Sequence, residues 1–172
     1  SSSAASDVYK RQKVNGLTLG SYWGYFRDRQ VKRNTDYPYD DYKCHLVLGV
    51  LYKQGVEDGK DMEVYSIDTL ADIKSVIEHF IFFVQPKWKI ASDQPGSGNT
   101  RNIGGVVDVD KLVNGEGTFA KYGEEVFDDY WMNYYNAADA QKAGMGKQHY
   151  HNLKTYIEYL EKMSKRLTEL KK

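Results

Sequence analysis

The chain has few cysteines and prolines, no excess of either charge, and no long apolar run. Its single cysteine, Cys44, excludes an internal disulfide, cannot form a zinc site by itself, and agrees with a reducing cytoplasm. The 24 basic residues equal the 24 acidic ones, so the basic excess usual in a dedicated nucleic-acid binder is absent, although local distribution matters more than the sum. No apolar run approaches the roughly 20 residues of a membrane span, so no membrane partner is expected.

The chain is rich in aromatic residues instead. Hydrophobic residues make up 41% and aromatic residues 14% of its 172 positions, and fifteen positions are tyrosine. With three prolines and 28% charged residues, this composition predicts a soluble globular chain with a packed core. Its length corresponds to about one domain.

The first twelve residues differ in character from the rest. The chain begins with Ser rather than Met, and Asp7-Val-Tyr-Lys-Arg-Gln12 is similar to the translated end of a sequencing-library adapter. We interpret residues 1–12 as a non-native, adapter-derived leader and exclude them from the fold. On this interpretation the native protein begins upstream of Lys13, and the chain is a fragment.

Several segments have the composition of strands. Residues 45–53 form a continuous apolar run of strand length, which predicts a buried central strand. Residues 80–85 and 87–92 predict two strands on either side of Pro86, or one strand with a bulge. Residues 103–109 predict a further short strand.

Other segments carry helix signals. Residues 66–77 begin with Ser66 as a capping candidate and have apolar residues at helical spacing. Residues 110–114 predict one helical turn, which Gly115 ends. Residues 124–136 predict an amphipathic helix with an acidic first turn.

The C-terminal segment gives the clearest helix pattern. In residues 149–172 the apolar side chains recur on one face: Leu153, Tyr156, Ile157, Leu160, Met163, Leu167 and Leu170. Such a stripe is buried either against the same chain or against another helix. Two glycines within residues 143–146 predict a joint before it. Residues 13–142 then form the body, and residues 143–172 form the C-terminal helix.

The segment Ser92-Asp-Gln-Pro-Gly-Ser-Gly-Asn-Thr-Arg-Asn-Ile-Gly104 connects two predicted strands and is the most informative part of the chain. Gly96 and Gly98 allow a positive φ or a close approach of the backbone to a ligand. Asn99 offers the donor and the acceptor that an adenine edge requires, which suits a loop that enters a DNA groove. Ordinary tight turns have the same composition. An anion-binding nest is a third interpretation, weakened because no Lys-Ser/Thr pair follows the glycines.

Motifs on both sides of this loop occur in a characteristic order. Upstream lie Leu17-Thr-Leu-Gly20, Tyr37-Pro-Tyr-Asp40 and His45, and downstream lie Gly115-Glu-Gly117, Asp129-Tyr-Trp131 and Asn133-Tyr134. Together with the loop they resemble the EcoRV family of type II restriction endonucleases over residues 17–134. The resemblance implies an α/β fold of the restriction-endonuclease type. Its mixed β-sheet would be flanked by helices, truncated at the N-terminus, and followed by a long C-terminal helix.

The resemblance also implies which residues contact DNA. The base edges in the major groove would be read by Gly96, Ser97, Gly98, Asn99 and Thr100. The DNA backbone would be contacted by Asn102, Arg101, Lys32 and Arg33. Arg101 departs from the family, in which a small hydroxyl residue is expected, and it adds either a phosphate contact or a guanine contact. For Lys32 and Arg33 a solvated run of charge is an equal alternative.

The catalytic residues of the family are expected to be missing. Its Pro-Asp and Asp/Glu-x-Lys motifs hold Mg²⁺ and position the attacking water, and both lie N-terminal to the segment that begins at Leu17. We therefore expect no catalytic residue and no metal ligand in this chain, with Mg²⁺ serving the intact enzyme only. Asp72 and Lys74 have the spacing of the second motif, but a predicted helix points them in different directions. His149 and His151 make no metal pair for the same reason.

The resemblance finally implies the setting of the intact enzyme. It would be a homodimer in a prokaryotic cytoplasm that cuts double-stranded DNA at a short palindrome similar to GATATC. A cognate DNA methyltransferase would belong to the same system. The chain itself is expected not to cleave DNA and to bind it weakly if at all. A catalytically inert DNA-binding module and a helix-pairing module stay open as alternatives.

Overall fold

The computed structural model describes residues 13–24, 26–28, 36–54, 65–73, 75, 77–97 and 101–170. The strands in these ranges are β1 (Thr18–Ser21), β2 (Leu46–Gln54), β3 (Ile77–Pro86), β4 (Ala91–Ser97) and β5 (Asn102–Gly105). The helices are α1 (Lys87–Ile90), α2 (Val109–Asn114), α3 (Glu124–Met132), α4 (Ala137–Lys142) and α5 (Leu153–Leu170). Antiparallel sheets flanked by helices, with a long C-terminal helix, confirm the expected α/β class. Within the described part of the chain, no helix combines the length and the apolar character that a membrane crossing requires.

The first sheet has the strand order β1-β5-β4 and carries the candidate loop. Thr18 pairs with Gly104, and Ala91 pairs with Gly105. The register shifts on both sides of Pro95. Proline has no N–H to donate to a neighbouring strand, so an irregularity of this kind is where a sheet tolerates it.

The second sheet consists of β2 and β3, which pair from Leu46 opposite Pro86 to Gln54 opposite Ile77. One face packs on the core through the buried Phe83. The opposite face is exposed and consists of Leu46, Leu48, Val50, Tyr52, Phe80, Phe82 and Val84. The expectation of a buried central strand over residues 45–53 is therefore wrong. Side chains of a strand alternate between the two faces, and among the described residues only one face of β2 meets the core.

The strand predicted over residues 87–92 is also wrong. The chain makes the helical turn α1 directly after Pro86 and enters β4 at Ala91. The backbone N–H of Lys87 donates to the carbonyl of His45 over 2.9 Å, and Ile90 is completely buried. The turn carries the chain from one sheet to the other, which a straight strand could not do.

Residues 66–77 do not form the predicted α-helix. A 3₁₀ turn covers Ile67–Asp72, and β3 has begun by Ile77. Three apolar side chains of this region are exposed, namely Ile67, Leu70 and Ile73, whereas Ile77 is half-buried and Val76 lies outside the described residues. An apolar stripe without a packing partner does not stabilise so short a helix, because most helical stability in proteins comes from tertiary packing.

The helical turn predicted from local signals is confirmed. The carboxylate of Asp108 accepts the N–H of Lys111 over 3.0 Å at the start of α2, and Gly115 ends the helix at φ 68°. A left-handed residue of this kind is the usual helix terminator. The strand predicted over residues 103–109 is shorter than expected, because Val109 already belongs to α2.

The C-terminal helix begins later than the apolar pattern indicated. The side-chain carbonyl of Asn152 accepts the N–H of Thr155 over 2.9 Å, so α5 starts at Leu153. Its stripe is buried only in the first turn, by Leu153 and Tyr156. Farther along the helix the stripe is exposed at Leu160, Met163, Leu167 and Leu170.

Aromatic rings form most of the core. The largest fully buried side chains include Trp131, Tyr22, Tyr130, Phe26 and Phe119. The hydroxyl of Tyr130 donates to the carbonyl of Asp93 over 2.7 Å, and that of Tyr150 donates to the carbonyl of Tyr130 over 2.7 Å. Burial raises the pKa of both hydroxyls, so both stay protonated and keep donating at neutral pH. Each buried tyrosine thus fills the core and satisfies a backbone acceptor.

Candidate nucleic-acid interface

The predicted reading loop connects β4 to β5 as a hairpin. Ser97 pairs with Asn102, so residues 98–101 form the connection. Three of the predicted base-reading residues lie outside the described residues, namely Gly98, Asn99 and Thr100. The predicted backbone contacts Lys32 and Arg33 lie outside them as well. The structure therefore places the stem of the hairpin and both of its ends.

Gly96 lies where β4 passes close to two neighbouring segments. A Cβ at this position would approach the Cγ2 atom of Thr18 to 2.8 Å and the Cα atom of Gly104 to 3.1 Å. Gly96 does not have a positive φ. The lack of a side chain is thus used for close approach to the rest of the sheet, and the conformational freedom of glycine is not used here. Structural packing alone accounts for the glycine, and a role in base reading is compatible with it.

The stem of the hairpin is tied to two helices through Asp93. Its carbonyl accepts the hydroxyl of Tyr130 from α3, and its carboxylate accepts the N–H of Leu153 at the start of α5 over 2.9 Å. The side-chain amide of Gln94 donates to the carbonyl of His151 over 3.0 Å. A carboxylate at the first turn of a helix satisfies an N–H group that has no partner within the helix. The stem is therefore held by the body of the protein before the connection begins.

Arg101 ends the connection and is held at three points. Its backbone has φ 53°, and its carbonyl accepts the N–H of Tyr22 over 3.1 Å. Its guanidinium donates to the carboxylate of Asp139 over 2.7 Å, and the guanidinium carbon lies 4.4 Å from the ring centre of Trp23. The side chain of Asp139 is only 3% exposed and that of Arg101 is 38% exposed, so the carboxylate is buried and the arginine lies partly at the surface.

Asp139 also forms two hydrogen bonds with Asn136 at the start of α4. The backbone N–H of Asp139 donates to the side-chain carbonyl of Asn136 over 2.8 Å, and the second carboxylate oxygen of Asp139 accepts the side-chain amide of Asn136 over 2.7 Å. The side chain of Asn136 also hydrogen-bonds Tyr22, and burial raises the pKa of that tyrosine. Arg101, Asp139, Asn136 and Tyr22 thus form one connected polar group.

Arg27 precedes the predicted DNA-backbone residues Lys32 and Arg33 in the chain, and it packs against aromatic rings. Its guanidinium carbon lies 3.5 Å from the ring centre of Tyr135 and 4.9 Å from that of Trp23, and it donates to the carbonyl of Tyr134. Stacking of a guanidinium on aromatic faces is favourable and orients the group. The sequence pattern did not separate this packed arginine from the basic residues that follow it.

Lys87 is a buried cation that the pattern of the chain did not indicate. It is 7% exposed, and its ammonium lies 5.4 Å from the ring centre of Phe26. Burial lowers the pKa of Lys87 to about 8, while the charge of Asp128 acts in the opposite direction. Burial and the nearby Lys87 also lower the pKa of His45.

The described residues do not accommodate a catalytic metal. No group of three His, Cys, Asp or Glu side chains among them is placed to hold a metal ion. Asp72 is exposed at the end of a 3₁₀ turn, and Lys74 lies outside the described residues. His149 stacks on Tyr159, with ring centres 5.0 Å apart. Among the described residues no ligand set fits the Mg²⁺ that the resemblance implies, and no catalytic step is derived from them.

The α/β fold is consistent with the restriction-endonuclease type, and its glycine-containing hairpin is tied to β1 and to the three helices α3, α4 and α5. The comparisons with known proteins agree with this class. The family described as Restriction endonuclease EcoRV matches residues 2–161, and the chain belongs to this family. It is 36% identical to the Type II restriction enzyme EcoRV of Escherichia coli over 119 residues, which are 69% of this chain and 47% of that enzyme. The chain thus spans about half the length of the curated relative it matches.

Proposed function

We propose that this chain is the DNA-reading part of a type II restriction endonuclease. The anchored β4–β5 hairpin carries the proposal, because it presents the sequence Gly96-Ser-Gly-Asn-Thr-Arg-Asn102 between two ends fixed by the body of the protein. Gly96, Ser97, Gly98, Asn99 and Thr100 would read base edges in the major groove. Asparagine suits this role because its amide both donates to and accepts from adenine.

The intact enzyme, on this proposal, hydrolyses double-stranded DNA at a short palindrome similar to GATATC with Mg²⁺. It acts as a homodimer, since a two-fold protein matches a two-fold site. Asn102, Lys32 and Arg33 contact the DNA backbone, and a methyltransferase in the same prokaryotic cytoplasm protects the host site. On this proposal the chain does not supply the carboxylates and lysine of the cleavage reaction, so it does not cut DNA, and any binding to DNA is weak.

Binding to matched duplexes tests the reading function. Fluorescence anisotropy at low salt would compare a duplex with a central GATATC against one of the same composition in scrambled order. We expect tighter binding to the GATATC duplex. Asn99→Ala should weaken binding to that duplex by about 1–3 kcal/mol and so remove most of the difference between the two duplexes. The matched control is Asn114→Ala, an exposed position at the end of α2. Equal binding of wild type to both duplexes would contradict the proposal.

A cleavage assay tests the second half of the proposal. Supercoiled plasmid that contains GATATC is incubated with the chain and Mg²⁺, and we expect it to stay intact. Site-specific cutting by the chain would show that its catalytic residues are present after all.

Helix pairing is a second candidate, favoured by the exposed half of the α5 stripe. Leu160, Met163, Leu167 and Leu170 repeat at spacings of three and four residues, the pattern of a helix that packs along a partner helix. Sedimentation without DNA distinguishes this candidate. Concentration-dependent dimers that Leu167→Lys abolishes would support pairing, and a monomer at all concentrations would exclude it.

A further inference from the structure

Arg101 ends the connection between β4 and β5, and its contacts fix it on three sides. Its carbonyl is held by the N–H of Tyr22, its guanidinium by Asp139, and the face of that guanidinium by Trp23. The left-handed φ of 53° is uncommon for a residue with a side chain, and such a conformation persists when the surroundings hold it. Tyr22 and Trp23 follow β1 directly, whereas Asp139 lies on α4. Arg101 therefore joins the exit of the hairpin to two separate parts of the fold.

Breaking the ion pair between Arg101 and Asp139 would be unfavourable for the protein. Asp139 is 3% exposed, and a buried carboxylate that loses its cation keeps an uncompensated charge. Turning the guanidinium toward DNA would break its hydrogen bond to Asp139 and its stacking on Trp23 together. Asn136, which also contacts this carboxylate, offers an amide and no charge. The geometry thus favours an arginine that stays with the protein when DNA binds.

We propose that Arg101 is a positioning residue that fixes the exit of the reading loop through Asp139 and Trp23, and that it does not itself contact DNA. This inference rests on the proposed reading function and deepens it. Asn102, which begins β5, follows Arg101 directly, so the ion pair determines where the loop re-enters the sheet. The small hydroxyl residue that the resemblance leads us to expect at this position could not form the ion pair with Asp139. The ion pair therefore depends on the arginine of this chain.

The direction in which one substitution changes DNA affinity distinguishes a positioning role of Arg101 from a DNA contact. If Arg101 positions the loop, Asp139→Asn weakens binding to the GATATC duplex, because the arginine loses its anchor. If Arg101 contacts phosphate or guanine, Asp139→Asn strengthens binding, because the guanidinium is released and a negative charge is removed. Asparagine keeps the size of the side chain and the backbone hydrogen bond to Asn136. Its single carbonyl oxygen can accept from Asn136 or from Arg101 but not from both, so the substitution removes the ion pair with little change in packing.

A double-mutant cycle completes the DNA measurement. We expect Arg101→Ala and Asp139→Asn each to reduce specific affinity by between about tenfold and a hundredfold, and the double variant to be no weaker than either single variant. The slope of log affinity against log salt stays as in wild type, whereas loss of a phosphate contact would reduce it by about one. Arg101→Lys, which keeps the charge, recovers part of the affinity. Additive losses, a reduced slope, or tighter binding by Asp139→Asn would each overturn the inference.

Hydrogen exchange measured without DNA tests the positioning role of Arg101 independently of DNA binding. The N–H of Tyr22, which donates to the carbonyl of Arg101, should exchange about tenfold faster or more in Arg101→Ala and Asp139→Asn alike. The N–H of Tyr156 in α5 serves as the internal reference. Unchanged exchange at Tyr22 in both variants would reject the positioning role. If exchange responds as expected but wild type does not prefer the GATATC duplex, the reading function fails and the structural connection stands.

Discussion

At the scale of single residues, Lys87 shows how burial sets a chemical property that the sequence does not display. The segment Lys87-Trp-Lys-Ile alternates charged and apolar residues, which predicts a half-exposed strand, yet the chain turns there and buries the ammonium. An alternating pattern and one helical turn cannot be told apart over four residues. At Gly96 the sequence predicts a positive φ or a close approach of the backbone to a ligand, whereas the structure shows a close approach to Thr18 and Gly104 within the sheet.

The lowered pKa of Lys87 predicts a pH dependence of stability. The group binds its proton less tightly in the folded protein, with a pKa of about 8, than in the unfolded chain, with a pKa near 10.5. Below pH 8 both states are protonated and the cost of burying the charge is fully present. Above pH 8 only the unfolded state keeps the proton, so this contribution to stability rises with pH.

Chemical denaturation between pH 8 and 9.5 measures this effect. Relative to Lys87→Met, wild type should gain up to about 1.4 kcal/mol in unfolding free energy per pH unit. The range ends below the ordinary tyrosine pKa, because titration of tyrosines in the unfolded chain would add an opposite slope. Lys154→Met, at an exposed position of α5, controls for removal of a positive charge. A constant difference between wild type and Lys87→Met would show that the ammonium is not buried as described.

At the scale of secondary-structure elements, local signals were sufficient to predict the short helix α2. Gly115 ends α2 as the sequence predicts, and the structure adds Asp108 as the cap at its start. Where an element depends on packing, the sequence was insufficient. In residues 66–77 the apolar side chains of Ile67, Leu70 and Ile73 are exposed, and a 3₁₀ turn forms in place of the predicted helix. α3 ends at Met132 although its pattern extends to residue 136.

The two halves of α5 should differ in their importance for stability. Leu153 and Tyr156 are buried against the body, whereas every residue from 160 to 170 is exposed. Deletion of residues 162–172 should therefore change the unfolding free energy by less than about 0.5 kcal/mol. Leu153→Ala should cost about 2–5 kcal/mol, because it leaves a cavity in the core. Thermal and urea unfolding of the monomer measure both, and a large loss on deletion would mean that the distal half is packed in solution.

At the scale of the whole molecule, the outer face of the β2–β3 sheet is the feature that composition could not predict. The apolar run over residues 45–53 indicates a strand, but burial of such a strand depends on what covers each face, which is not encoded in the run itself. In the described residues seven large apolar side chains of β2 and β3 are exposed on one face. Monomeric soluble proteins rarely leave so extensive an apolar surface uncovered.

This face should make the isolated chain self-associate, and a charged pair should prevent it. Leu48 and Val84 are direct cross-strand partners, 69% and 56% exposed. In Leu48→Lys/Val84→Glu the opposite charges face each other across the strands, an arrangement that favours the sheet by roughly 0.2–1 kcal/mol while making its outer face polar. We expect sedimentation velocity to show a shift from oligomers toward monomer, with the unfolding free energy nearly unchanged. Phe83→Lys, on the buried face of the same strand, should instead unfold the protein, because it places an unpaired charge in the core. A wild-type chain that is monomeric at all concentrations would show that this face does not drive association.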